Sequence, residues 1–102
     1  MNDEYTFEQW WLASLGRLLV WARLRVKEAG TAEVLDSDGN TLAYDSEDSA
    51  RAALFDAEFV AFDGLDEEDA LARGFSLSEV QPPRGEGDEL VPRMTQHLGG
   101  RA

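Results

Sequence analysis

Cysteine is absent from this chain of 102 residues, and histidine occurs once, as His97. The absence of cysteine excludes disulfide bonds, thiolate nucleophiles and metal sites with cysteine ligands, and it fits a reducing compartment. No stretch of the chain approaches the ~18 consecutive apolar residues of a transmembrane helix. The N-terminal residues MNDEYTFEQWW are acidic, whereas a signal peptide begins with basic residues. We therefore expect a cytoplasmic protein that does not enter a membrane.

Basic residues are scarce relative to acidic ones. Nine Lys and Arg stand against 21 Asp and Glu, which gives a formal net charge of −12 at pH 7. A field of this sign repels DNA, RNA and anionic membranes, so we expect no direct binding to nucleic acid. The same field attracts basic proteins and cations. The alternative is that the acidity serves only solubility, as net charge does in many small proteins.

Catalytic motifs are missing as well. The sequence has no phosphate-binding glycine loop and no HExxH motif, and His97 lies in a segment too rich in Pro and Gly to orient it. Asp56 and Glu58 have apolar neighbours on both sides, as a carboxyl with a raised pKa requires. A solvated helix edge explains these two residues more simply. We therefore expect a non-enzymatic protein without a cofactor.

The first 44 residues predict a short helix followed by three strands. The segment FEQWWLASL begins after a potential N-cap, Thr6, and ends before Gly16, as a helix does. Residues 17–27 alternate between apolar and mostly polar side chains, which is typical of a strand. Residues 31–36 and 41–44 predict two more strands, because the SDGN turn between them suits a hairpin. We therefore expect a three-stranded antiparallel meander.

Residues 46–62 carry the strongest helical pattern in the chain. Asp45 or Ser46 would cap this helix, and Ala50 and Leu54 belong to an inward apolar stripe. Three phenylalanines at helical spacing would widen the stripe: Phe55, Phe59 and Phe62. The pattern therefore predicts one long helix packed on the sheet.

The remainder of the chain predicts a short helix over residues 66–75 and then loss of regular structure. From Gln81 onward the sequence is rich in Pro, Gly and charged residues, which is typical of disorder. The expected fold is α+β: a short N-terminal helix, a three-stranded antiparallel β-meander, one long helix packed on the sheet, a short helix and a disordered C-terminal tail. Residues 1–80 would form one small domain, and residues 81–102 a flexible tail.

One stretch, DSDGNTLAYDSE at residues 36–47, resembles the calcium-binding loop of the EF-hand. The resemblance implies five oxygen ligands: Asp36, Asp38, Asn40, the carbonyl of Leu42, and Glu47. The stretch departs from the EF-hand pattern at Thr41, where a glycine makes the sharp turn, and at Ala43, where a branched aliphatic residue is usual. A strand also precedes it in place of a helix. The alternative is a hairpin turn followed by a helix cap, which ordinary turn chemistry explains.

The acidic residues are concentrated in the middle of the sequence. Twelve acids and a single base, Arg51, lie between Asp36 and Asp69. The residues predicted to form an acidic interaction face are Asp45, Glu47, Asp48, Asp56, Glu58, Asp63, Asp66, Glu67, Glu68 and Asp69. Spaced carboxylates on a helix can imitate nucleic-acid phosphates, so we expect a basic protein partner, either a nucleic-acid-binding protein or a toxin. A solvated face without a partner is the alternative.

The first predicted strand supplies a second candidate surface. Its polar face carries Trp21, Arg23 and Arg25, which form an aromatic and basic patch unless the N-terminal helix covers it. If this patch is exposed, it could recognise a partner or pair with the acids of a second copy. A homodimer is therefore also a hypothesis.

Overall fold

Antiparallel strands dominate the computed structural model, which describes residues 5–98 of the chain. The elements in chain order are β1 (Tyr5–Leu15), β2 (Leu18–Lys27), β3 (Ala32–Leu35), β4 (Thr41–Tyr44), α1 (Glu47–Asp56), β5 (Val60–Ala61), α2 (Glu67–Ala72), α3 (Leu90–Arg93) and β6 (Thr95–His97). The strands form one sheet in the order β4-β3-β2-β1-β5, and β6 pairs with the first residues of β2. The protein is thus α+β, but the expected three-stranded sheet is wrong because β1, β5 and β6 extend it to six strands.

The N-terminal segment is a strand, so the predicted N-terminal helix is wrong. β1 and β2 form a long hairpin through a two-residue turn, in which Gly16 has a φ of 61° as in type II′ turns. The middle of β1 is buried on both faces, with Trp11 on one side and Leu12 on the other. A strand covered on both faces has no alternation of apolar and polar residues, so its apolar run resembles a helix.

The first face of the sheet packs against α1. Ala22 and Leu24 of β2 and Trp11 of β1 form a buried cluster with Ala50 and Leu54 of α1. Ala50 and Leu54 lie four residues apart on one side of the helix, so they reach the sheet together. Every second side chain of β2 points to this face and is apolar, which is why the sequence of β2 alternates and predicts a strand.

The helix α1 has ten residues and ends at Asp56, so the single long helix expected over residues 46–62 is wrong. Glu58 adopts a left-handed conformation with a φ of 70°, which turns the chain out of the helix and into β5. The predicted phenylalanine stripe is therefore divided. Phe59 packs on the cluster beneath α1, whereas Phe62 contacts Trp21 on the other face, at 5.3 Å between ring centroids.

The second face of the sheet is covered by the C-terminal third of the chain. Its buried cluster comprises Leu12, Leu19, Trp21, Ala70, Phe75, Val80, Leu90 and Met94. The backbone is anchored as well, because the N–H of Trp21 donates to the carbonyl of Met94 at 2.8 Å. The short helix α2 begins at an Asp66 N-cap and contributes Ala70 to this cluster.

The disordered tail in the expected fold is wrong for residues 81–98. This segment contains α3 and β6, and Leu90 and Met94 are completely buried. Its high content of Pro, Gly and charged residues is typical of disorder. Its few apolar residues, however, pack against the apolar second face of the sheet and bury it. Burying such a face outweighs a weak local preference. The last four residues, 99–102, lie outside the described part of the chain.

Candidate functional site

The half of the second face that the C-terminal segment leaves uncovered forms an open groove. Its lining consists of Glu8 and Trp10 from β1, Arg23 and Arg25 from β2, and Pro83, Arg84, Gly85 and Glu86 from the C-terminal segment. We call it the arginine–tryptophan groove. Its volume of about 520 Å³ lies in the range of sites that hold small ligands or short peptide segments.

Strand register brings the floor of the groove together. Trp10 lies directly opposite Arg23, and Glu8 directly opposite Arg25, across the β1–β2 pair. On the other side of β2, Glu33 of β3 lies opposite Arg25. Cross-strand neighbours on one face are close enough to interact, so a row of alternating charge forms across three strands.

The row is held by ion pairs and ring contacts. The Glu8 carboxylate accepts from the Nε of Arg25 at 2.8 Å, and the Arg25 guanidinium lies 4.7 Å from the centroid of the Tyr5 ring. Glu33 accepts from the Lys27 ammonium at 3.0 Å and from the Tyr5 hydroxyl at 3.0 Å. These hydrogen bonds, that from Lys27 first, lower the pKa of Glu33, so it stays ionised at neutral pH.

Arg23 is the residue of the groove whose side chain has a buried hydrogen-bond donor without an acceptor. Its side chain retains 18% of its exposure, and its buried Nε finds no hydrogen-bond partner among residues 5–98. The Glu8 carboxylate is 4.0 Å away, beyond hydrogen-bond reach, and the Trp10 ring centroid is 6.0 Å from the guanidinium. Burial, and then the charge of Arg25, lower the pKa of Arg23, but a guanidinium stays protonated in proteins. The Nε itself is buried, so an acceptor that enters the groove reaches Arg23 through the part of its side chain that stays exposed.

The wall of the groove is fixed by a contact within the C-terminal segment. The Nη1 of Arg93 donates to the carbonyl of Arg84 at 2.8 Å. Gly85 has a φ of 132°, and a Cβ added there would lie 3.3 Å from the same Nη1. Only glycine suits this conformation and spacing. The Arg84 side chain is exposed and makes no ion pair within the described residues.

The ten predicted acidic residues do not share one face. Asp45, Glu47, Asp48, Asp56 and Glu58 belong to α1 and its ends, on the first face of the sheet, whereas Asp66, Glu67, Glu68 and Asp69 belong to the start of α2, on the second face. Asp63 lies in the turn between them and accepts from the Nε2 of Gln9 at 3.0 Å. The six-stranded sheet separates the two groups.

Several of these acids are already engaged. Glu47 forms an ion pair with Arg51 at 2.9 Å, and Asp66 and Asp69 form a capping box at the start of α2. Five of the ten have exposed side chains that make no hydrogen bond or ion pair within residues 5–98: Asp45, Asp48, Asp56, Glu58 and Glu68. Four of these five lie on or beside α1.

The aromatic and basic patch predicted on β2 is only partly at the surface. Trp21 is completely buried beneath the C-terminal segment, so it cannot meet a partner, while Arg23 and Arg25 line the groove. Trp10 and Arg84 also line the groove, and neither belongs to the predicted patch. The alternation of Glu8 and Trp10 in β1, opposite two arginines, was the available signal, but the predicted helix concealed it.

The loop that resembles an EF-hand is a closed hairpin turn. The Oδ1 of Asp36 accepts from the backbone N–H of Asp38 at 3.0 Å and from that of Asn40 at 2.9 Å. Glu47, the implied twelfth ligand, is paired with Arg51. Within the described residues, no group of three or more His, Asp or Glu side chains is placed to hold a metal ion. The calcium hypothesis therefore stays a prediction from the sequence.

No protein-family model, curated protein or solved structure matches this chain. In the part of the chain that the structure describes, none of the helices has the length and apolar character needed to cross a membrane. The geometry of the acidic residues and of the groove is therefore the basis for assigning a function.

Proposed function

We propose that this protein is a small non-enzymatic interaction module that binds a basic protein through the carboxylates of α1. The observation that supports this proposal is a set of four exposed carboxylates on or beside that helix that make no ion pair within residues 5–98: Asp45, Asp48, Asp56 and Glu58. A carboxylate without an internal cation contributes its full charge to the surface field. It can also pair with a partner without first breaking an ion pair.

The partner is a protein with a basic binding surface, such as one that binds nucleic-acid phosphates. The net charge of −12 steers a basic surface toward the module, and complementary potentials then favour the docked orientation. Asp48 and Asp56 are separated by ~12 Å along α1, so they present negative charge at spaced points on a rigid element. This is the arrangement with which a protein imitates a row of phosphates.

The test compares two variants with the same change in net charge. The α1 variant combines Asp45→Asn, Asp48→Asn, Asp56→Asn and Glu58→Gln. The control combines Glu28→Gln, Glu68→Gln, Glu79→Gln and Glu89→Gln, all at exposed positions away from α1. Basic proteins retained by the wild-type protein at low salt would be identified by mass spectrometry and titrated by calorimetry.

We expect a stoichiometric complex whose affinity falls steeply as salt rises, because exposed charge pairs are screened. The α1 variant should bind at least about tenfold more weakly than wild type, and the control should lose much less. Equal losses in the two variants would show that only net charge matters. Retention of no basic protein at low salt would contradict the proposal itself.

A further inference from the structure

We propose that the arginine–tryptophan groove is a second binding site, which takes an extended acidic peptide segment of a partner with one carboxylate between Arg23 and Arg84. This inference goes beyond the proposed function, because the groove and α1 lie on opposite faces of the sheet. The ligand proposed for the groove is acidic, whereas the partner proposed for α1 is basic.

The unsatisfied donor of Arg23 identifies the chemistry of the ligand. A buried, charged N–H without an acceptor is unfavourable, and a carboxylate supplies the strongest acceptor available in a protein ligand. Glu8 does not serve, because its carboxylate is drawn to Arg25 at 2.8 Å and stays 4.0 Å from the Nε of Arg23. An entering carboxylate therefore brings a counter-charge to the guanidinium of Arg23, whose buried Nε is not hydrogen-bonded by any described residue.

Charge complementarity points the same way. The groove is lined by three arginines and two glutamates, a local excess of positive charge in a chain of net charge −12. Arg84 lies at the rim without an ion pair among the described residues, and its backbone is held by Arg93. Arg23 and Arg84 are thus the two cations with capacity to receive a new carboxylate.

The shape of the groove favours a peptide over an isolated anion. Depressions continue from it in both directions, past Trp10 to Gln81 and Pro82, and past Arg25 to Leu35 and Thr41. The path crosses β1 to β4, which spans ~14 Å, the length of about four extended residues. Trp10 is only half-buried, so its ring offers a surface for an apolar side chain next to the carboxylate.

A second copy of this chain is disfavoured as the occupant. Two molecules that each carry a net charge of −12 repel one another, whereas a short segment with one or two acids meets little repulsion. The strongest acid clusters of the chain also lie on or beside short helices rather than on extended segments, which the groove requires. The ligand is therefore an acidic stretch of another protein.

The test uses acetyl-Leu-Glu-Leu-Ala-amide as the probe and acetyl-Leu-Gln-Leu-Ala-amide as its matched control. Binding to the full chain would be followed by the ¹H–¹⁵N cross-peak of the Arg23 Nε–H and by tryptophan fluorescence. Trp10 is the exposed reporter, because Trp11 and Trp21 retain 1% and 0% of their exposure. Arg84→Gln is the test variant, and Arg73→Gln, which removes the same charge outside the groove, is the control.

We expect the Glu peptide to shift the Arg23 cross-peak and to bind at least about tenfold more tightly than the Gln peptide. Arg84→Gln should weaken binding by about tenfold, while Arg73→Gln leaves it near wild type. The α1 variant should bind the peptide at least as tightly as wild type, so failure of this site is distinguishable from failure of the proposed function.

Other outcomes overturn the proposal. Equal affinity for the two peptides, or equal losses of affinity in the two arginine variants, would show that no ligand carboxylate binds between Arg23 and Arg84. Inorganic phosphate that shifts the Arg23 cross-peak with the same affinity as the Glu peptide would make the groove a general oxyanion site. Shifts that depend only on protein concentration would identify a second copy as the occupant.

Discussion

Replacing Glu58 with glycine should stabilise the protein, although the substitution removes a whole side chain. Glu58 follows the C-cap of α1 with a φ of 70°, and its N–H donates to the carbonyl of Phe55 at 2.9 Å. The N–H of Phe59 donates to the carbonyl of Leu54, also at 2.9 Å. These two bonds define the Schellman motif, in which glycine normally occupies the left-handed position.

The magnitude follows from the backbone. A non-glycine residue in the left-handed conformation costs about 1–2 kcal/mol, and the greater freedom of glycine in the unfolded chain offsets about 0.4–1 kcal/mol of the gain. The net increase in the free energy of unfolding is therefore about 1 kcal/mol for Glu58→Gly. In a domain of this size that corresponds to a rise in Tm of roughly 4–8 °C.

The chain contains its own matched control, because α2 ends in the same motif. Gly74 has a φ of 96°, and the N–H groups of Gly74 and Phe75 donate to Leu71 and Ala70, both at 3.0 Å. Among the residues that the structure describes, a Cβ at Gly74 meets only Leu98, at 3.9 Å, so Gly74→Ala introduces backbone strain without a steric clash there. This variant should lose about 1 kcal/mol.

Urea unfolding and thermal melts of wild type, Glu58→Gly, Glu58→Gln and Gly74→Ala would check the reasoning. Glu58→Gln removes the charge but keeps the strained backbone, so it should recover little of the stabilisation. If Glu58→Gln stabilises the protein as much as Glu58→Gly, charge repulsion near the end of α1 is responsible. If Glu58→Gly is destabilised, the left-handed conformation at this position is not the one described.

Two further predictions concern the second face of the sheet. A chain that ends at Val80 should lose cooperative unfolding, because removal of Leu90 and Met94 costs about 2–5 kcal/mol each against a total stability of about 5–15 kcal/mol. A truncated chain with a sharp melt and native near-UV circular dichroism would instead support the predicted domain over residues 1–80 with a flexible tail. For Glu33, a folded-state pKa below the unfolded value of about 4.3 means that its contribution is present above that pH and is lost as pH falls. Glu33→Gln should therefore reduce the urea midpoint at about pH 7 more than at about pH 3.5, and equal reductions would disprove the pairing with Lys27.

The local sequence pattern was sufficient to predict a strand where the strand has one apolar face and one mixed face. β2 alternates visibly, and the SDGN turn joins β3 to β4 through ordinary turn chemistry, with Asp36 bonded to the N–H groups of Asp38 and Asn40. The same reasoning failed at β1, because burial on both faces removes the alternation. It also failed at the end of α1, where apolar spacing continues to Phe62 but the left-handed Glu58 ends the helix.

The candidate sites, too, could be predicted from the sequence only in part. The sequence showed the arginines at positions 23 and 25 and the acids from Asp36 to Asp69, but not which of them share a surface. Trp10 and Arg84 are 74 positions apart, and they meet only because the C-terminal segment folds back over the sheet. No local pattern reports such an encounter.

The sequence by itself determined the quantities that do not depend on contacts between distant residues: the net charge of −12, the absence of cysteine, the period-two pattern of β2 and the turns that follow it. The tertiary structure alone decided which faces of the sheet are covered, how the acids are divided between them, and where Arg23 keeps an Nε–H that no residue among 5–98 accepts. The physical reason is that burial of apolar surface is non-local and non-directional. Burial of apolar surface packs the Pro- and Gly-rich C-terminal segment over Trp21. Arg23 lies beyond the covered area and therefore lines a groove.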